Sequence, residues 1–219
     1  MTQHSEISSS MIERDDDKKI DLNSLINDVK HPVEIVAKWL KEAKDLELEK
    51  PEAMNLATVG IDGKPRNRMV LMRHITETQI GFFTNLSSSK AKEITNNPNV
   101  SATLWWSEME RQVRIEGPAQ PMCQDVVEAY FNSRPRKSRI AAWASKQSQP
   151  LSSMDALNKR FQEAEMMFTE GDVTLPKFWG GYTISVERIE FWLGKPHRLH
   201  ERIVLTKEKD GWLRSRLFP

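Results

Sequence analysis

The sequence predicts an α+β protein built on an antiparallel β-barrel with helices around it. Three observations carry that expectation. Short strand-like segments run from residue 54 to the C-terminus. Hairpin turn signals join some of them. Helical patterns are inserted between groups of strands. No internal repeat or long linker divides the chain, so the reading is one domain, residues 30–219, preceded by an arm, residues 1–29.

The arm is polar, charged and poor in aromatics, which predicts mobility. A helix follows. Pro32 suits its first turn, and Ile35, Val36, Trp39, Leu40 and Ala43 recur at helical spacing. "MNLATVG" and "RNRMVLM" then read as two strands around "IDGKP", where Asp62-Gly63 is a strong turn signal. "QIGFFTN", "NVSATLWW" and "RQVRIEGPA" are further strands. Between the first two of these, "SSSKAKEITNN" reads as a short helix opened by serines. "QDVVEAYFNSR", "SRIAAWAS" and "SSMDALNKRFQEAEMMFTEG" read as helices, the last ending at Gly171. "YTISVERIEFW", "RIVLTKE" and "GWLRSRL" close the chain as strands. The Gly180-Gly181 pair reads as a tight backbone approach.

Composition excludes several functions. Thirty-two Lys and Arg nearly cancel 31 Asp and Glu, so no global field attracts nucleic acid or a membrane surface. A basic pocket must be local. The single cysteine, Cys123, permits no internal disulfide and no Cys-based zinc site, and it fits a reducing compartment. No apolar run approaches the roughly 20 residues of a membrane span. The N-terminus lacks a secretory apolar core, so the expected location is the cytoplasm. His197 and His200 make a poor metal pair, and no metal site is expected. No dinucleotide fingerprint, Walker sequence, nucleophile elbow or HExxH is present. Chemistry carried by a bound cofactor with a phosphate tail fits better than side-chain nucleophilic catalysis.

Candidate anion-binding groups lie in several segments. Arg66, Arg68 and Arg73 bracket "MVLM". Ser87, Ser88, Ser89 and Lys90 stand at a helix start, where free N–H groups suit a phosphate, although serine caps are common without a ligand. Arg134, Arg136, Lys137 and Arg139 lie close to Tyr130, Ser138, Gln147 and Ser148, as a phosphate site or as an ordinary basic surface helix. Trp105, Trp106, Trp143, Trp179 and Trp192 read as core or interface. In "IEFWLGKPHRLHERIV", a strand would put Arg198, His200 and Arg202 on one face.

The motifs "RMVLMR", "FFTNLSSSKA", "RQVRIEG", "YFNSRPRKSRIAAWASKQS", "PKFWGGY", "IEFWLGKPHRLHER" and "RLFP" occur in an order that resembles the pyridoxamine 5′-phosphate oxidase family, from about Pro32 to Pro219. The resemblance implies an FMN-binding split β-barrel working as a homodimer, with FMN sites at the subunit interface. It implies oxidation of pyridoxamine or pyridoxine 5′-phosphate to pyridoxal 5′-phosphate, with dioxygen leaving as hydrogen peroxide. The FMN contacts it implies are Arg68, Met69, Val70, Leu71, Met72, Arg73, Phe83, Thr84, Ser89, Lys90, Gln112, Gln147, Ser148, Trp192 and Arg202. The substrate phosphate falls to Arg73, Tyr130, Arg134 and Ser138, and the substrate ring to Arg198 and His200 as catalytic residues. The substrate C4′ would pass a hydride to the flavin, so the protein's task is mainly to stack two rings.

Four positions depart from the family pattern. Arg73 replaces a usual lysine, Ser89 a usual arginine, and Glu201 a usual aspartate. The acidic "MIERDDDKK" stands where the family has an Arg-x-x-Tyr element that folds over substrate. These departures keep a second reading in view, a divergent chain that binds FMN or pyridoxal 5′-phosphate without useful turnover. A different split-barrel flavoprotein is a third, opposed by the "SRPRKS" and "RLHER" segments.

Overall fold

The computed structural model describes residues 21–27 and 29–219. Most of the expected arm, including "MIERDDDKK", lies outside the described residues. Its described end is not free. Leu22–Asn27 form a short helix, α1, and Leu22 and Ile26 are buried in the main core.

Helix α2 (Val33–Asp45) packs its expected stripe inward. Trp39 is its anchor, meeting Trp106 and Phe191 edge-on at centroid distances of 6.3 and 5.5 Å. Such edge-to-face contacts set the negative ring face against the positive ring edge. The Arg111 guanidinium lies 5.2 Å over Trp39 and pairs with Glu42, which explains a buried arginine beneath this helix.

Strands β1 (Ala53–Val59) and β2 (Pro65–Leu71) form the expected hairpin, with Gly63 at φ 75° in the turn. The two-residue strand β3 (His74–Ile75) pairs with β4 (Gln79–Asn85). Helix α3 (Ser89–Asn96) starts at Ser88, whose side chain accepts from the Ala91 N–H. Strands β5 (Asn99–Trp106) and β6 (Arg111–Pro121) follow, then α4 (Gln124–Ser133), α5 (Arg136–Ala144) and α6 (Met154–Met167). Helix α6 ends four residues before Gly171, which sits in the following turn. Strands β7 (Trp179–Ser185), β8 (Arg188–Leu193), β9 (Glu201–Glu208) and β10 (Gly211–Arg216) complete the chain.

All strand pairs are antiparallel, in the order β10-β9-β8-β6-β5-β1-β2, with β7 joining the end of β6 to β4. The sheet curls into a half-barrel around α2. Strand β6 belongs to both halves: Arg111–Glu116 pair with β8 and Ala119–Pro121 with β7. Gly117 lies between, where a Cβ would stand 1.9 Å from the Ser185 carbonyl oxygen. This close approach explains why "YTISVERIEFW" is two strands and not the single one expected. The chain turns a corner at Val186-Glu187 over a position that admits no side chain. The Gly180-Gly181 pair is the close approach expected, since a Cβ at Gly181 would stand 2.8 Å from the Phe82 carbonyl oxygen. Helices α4 to α6 form a second layer with its own apolar cluster around Phe131, Ile140 and Phe168.

One expected strand is overturned. Residues 198–200 are not strand: Pro196–Arg198 form a 3-10 turn, and β9 begins at Glu201. Gly194 and Pro196 break the ladder, since proline has no N–H to give. His197 and Arg198 take φ values of 59° and 61°, so Arg198, His200 and Arg202 do not share a strand face. The Lys195 N–H donates to His200 Nδ1 at 3.1 Å across this loop.

Candidate active site

A cleft of about 580 Å³ opens between β2, β4 and helices α4 and α5. That is within the usual range for small-molecule sites. Its walls carry Arg68, Met69, Val70, Leu71 and Arg73 from the β2 region, Phe83 and Thr84 from β4, and Lys90 from α3. Tyr130, Arg134, Ser138 and Gln147 come from the helical layer. Asn85, Ser145 and Trp179 also line it and were not expected there.

Strand β2 ends the sheet order, so one side of its backbone has no strand partner among the described residues. An edge strand offers free N–H and C=O groups, here along the cleft wall. Lys90 is buried at the start of α3. Its Nζ donates to Gln147 Oε1 at 2.7 Å, Thr84 Oγ1 at 3.1 Å and Ser88 Oγ at 3.3 Å. Burial pulls the Lys90 ammonium down to about 8, the nearby Arg68 charge acts in the same direction, and Glu93 opposes both. Arg68 is held from behind by Thr58 and by Glu93, whose Oε2 lies 2.9 Å from its Nη2. Two cations thus share one polar pocket with one buried carboxylate behind them.

The second cationic group is different. Arg134 lies 5.1 Å over the Trp179 ring, and its Nη1 is buried with no hydrogen-bond partner among the described residues. Burial lowers its pKa. A buried guanidinium nitrogen without an acceptor costs free energy unless an anion supplies one. Trp179, Phe83 and Tyr130 are nearly parallel, with Phe83 and Tyr130 centroids 3.9 Å apart at 12°. This stack fixes the wall beside Arg134. Trp179 is buried in the helical-layer cluster, as its sequence reading as core or interface expects, and it also lines the cleft.

Several expected residues lie elsewhere. Met72 is buried in the core, while Ser89 and Ser148 are exposed. Gln112, Trp192 and Arg202 sit opposite one another on β6, β8 and β9. Trp105 meets Trp192 at 5.6 Å, and His200 meets it at 4.6 Å. Arg202 Nε and Nη2 each lie 2.8 Å from Glu190 Oε1, and its Nη1 donates to the Phe218 carbonyl. Arg198 is exposed beside them. This second group lies three to five strand spacings from β2, about 14–24 Å along the sheet.

A curled antiparallel half-barrel with such a cleft is the architecture of the FMN-binding split-barrel proteins. Residues 40–168 match the family described as pyridoxamine 5′-phosphate oxidase. Residues 179–219 match the pyridoxine 5′-phosphate oxidase C-terminal dimerisation region. A relative from Shewanella halifaxensis (strain HAW-EB4), named pyridoxine/pyridoxamine 5′-phosphate oxidase, is 46% identical over 188 residues, 86% of this chain and 89% of its own. One of the same name from Escherichia coli (strain SMS-3-5 / SECEC) is 45% identical, covering 86% of each chain. Among solved structures, PhzG from Burkholderia lata 383, in complex with tetrahydrophenazine-1-carboxylic acid, aligns with a TM-score of 0.84 at 25% identity. That alignment covers 92% of this chain and 98% of that one. A pyridoxamine 5′-phosphate oxidase-related, FMN-binding protein from Nostoc punctiforme PCC 73102 aligns at 0.70 and 17% identity, covering 86% and 97%. The chain belongs to the pyridoxamine 5′-phosphate oxidase family, a family of oxidoreductases.

Proposed function

We propose that the protein oxidises pyridoxamine 5′-phosphate or pyridoxine 5′-phosphate to pyridoxal 5′-phosphate, using FMN and dioxygen and releasing hydrogen peroxide. The observation that carries this reading is the cleft, which gathers residues of four of the family-like motifs into one cationic, aromatic-walled space. FMN fits the donor set. Lys90 and Arg68 suit its phosphate, and the free edge of β2 suits the polar rim of a flavin ring. When bound, FMN supplies a hydride acceptor that dioxygen can re-oxidise.

The chain's own residues bind and orient. Arg134, Arg73, Tyr130 and Ser138 hold the substrate phosphate, and Arg134 brings a nitrogen that lacks an acceptor among the described residues. Remote phosphate binding of this kind helps hold the reacting carbon in place. Gln112, Trp192 and Arg202, with Arg198 and His200, complete the site from a second copy of the chain. The dimerisation region that contains Trp192, Arg198, His200 and Arg202 supports this arrangement. A site divided between two chains also explains why one chain keeps the two groups apart. The departures from the family pattern do not empty the cleft: Arg73 keeps a cation there. Glu201 accepts from the Leu22 N–H at 3.3 Å and pairs with Lys195 at 3.2 Å.

The test is direct. The purified protein, loaded with FMN, receives pyridoxamine 5′-phosphate in air, and aldehyde and peroxide are followed. Both products should form together. A protein that takes up no FMN, or forms no aldehyde with FMN bound, contradicts the proposal.

A further inference from the structure

Glu52 and Arg73 flank the open end of the β1–β2 hairpin. Backbone bonds fix both. The Met72 N–H donates to the Glu52 carbonyl at 2.8 Å, and the Arg73 N–H donates to the Gly81 carbonyl at 2.9 Å. The Glu52 carboxylate pairs with Arg73 Nη1. Glu52 is only 8% exposed, an uncommon state for an acid unless it is paired. The Arg73 side chain is 39% exposed and lines the cleft with Tyr130, Arg134 and Ser138. The same wall therefore holds one cation tied to a buried carboxylate and another, Arg134, with a nitrogen lacking an acceptor among the described residues.

We infer that Glu52 is a positioning residue that makes arginine, and not lysine, the workable cation at position 73. A guanidinium carries five N–H donors in a rigid plane. After giving one edge to Glu52 it keeps donors for a phosphate monoester. Glu52 also fixes where those donors point. A lysine ammonium is a point charge on a flexible stem. Drawn to the buried Glu52 carboxylate, it would be compensated there and withdrawn from the ligand. Neutralising Glu52 would release it. The two positions thus act as one unit, and their substitutions should not add.

The inference rests on reading this cleft as the site of the phosphorylated substrate. The experiment therefore measures binding separately from turnover. Pyridoxal 5′-phosphate affinity, and kcat and KM for pyridoxamine 5′-phosphate, are compared for the FMN-loaded parent, Arg73→Lys, Glu52→Gln and the double variant. Arg73→Lys should weaken pyridoxal 5′-phosphate binding about tenfold or more, because charge-assisted bonds are lost. The double variant should return to within about threefold of the parent. The loss should appear in KM more than in kcat. A pair that only holds the hairpin lowers Tm in each variant and gives no recovery of binding. Arg73→Lys binding like the parent, or a double variant as weak as Arg73→Lys, overturns the inference. So does a parent that binds no pyridoxal 5′-phosphate. A parent that binds it without oxidising pyridoxamine 5′-phosphate contradicts the proposed function, while the four affinities still decide the role of Glu52.

Discussion

Lys90 carries its charge where burial and Arg68 both resist it. With Lys90 holding the FMN phosphate as proposed, the dianion would favour the ammonium form, so the complex would retain a proton that the free protein loses above about pH 8. FMN affinity should be fully present between about pH 6, above which the phosphate is a dianion, and that pH. It should then fall by up to about tenfold per unit as pH rises through it. Titration of flavin fluorescence across this window checks the point; Lys90→Met should remove the inflection, and a flat parent profile would contradict it. Arg134 has a different signature. Arg134→Ala removes charge-assisted bonds worth about 1.5–3 kcal/mol, so KM for pyridoxamine 5′-phosphate should rise about 10- to 150-fold. FMN affinity should stay close to the parent value. The cationic residues of the cleft are legible in the sequence because arginines, lysines and hydroxyls cluster in short motifs. Their carboxylate partners are not. Glu52 and Glu93 are far apart along the chain, and acids are expected in water until a fold shows them paired.

Among the elements, the hairpins and most helices are legible from alternation, turn residues and caps. The places that escape sequence reading are those fixed by distant contacts. The corner between β7 and β8 depends on Gly117 meeting Ser185, and nothing in "YTISVERIEFW" marks it. Gly117→Ala should cost about 1–3 kcal/mol, the usual range for forcing extra volume into a packed site, and urea unfolding would read it. The loop between β8 and β9 reads as strand because apolar and basic residues alternate there; proline and two left-handed residues decide otherwise. Glu201 joins that loop to α1 through Lys195 and the Leu22 N–H. Glu201→Ala should lose about 1 kcal/mol of local stability. Hydrogen exchange at the Leu22 amide should then quicken, while unchanged protection would show that the burial of Leu22 and Ile26 alone holds α1.

At the scale of the molecule, the residues assigned to one site lie in two groups on one chain. The sheet also exposes Met69 and Trp105, at 62% and 50%, near one or other group. In the proposed two-fold dimer each chain's second group would meet its partner's cleft, and an isologous interface would repeat that contact. Two defective chains then test the account most directly. One carries Arg134→Ala in the cleft and the other Arg202→Ala in the second group, both loaded with FMN and each tagged differently so that chain exchange is verified. Each alone should turn over pyridoxamine 5′-phosphate poorly. After mixing and exchange, half the dimers are mixed and each of these holds one intact site, so activity should recover to about a quarter of the parent's. Verified mixed dimers with no recovery would contradict a site shared between two chains.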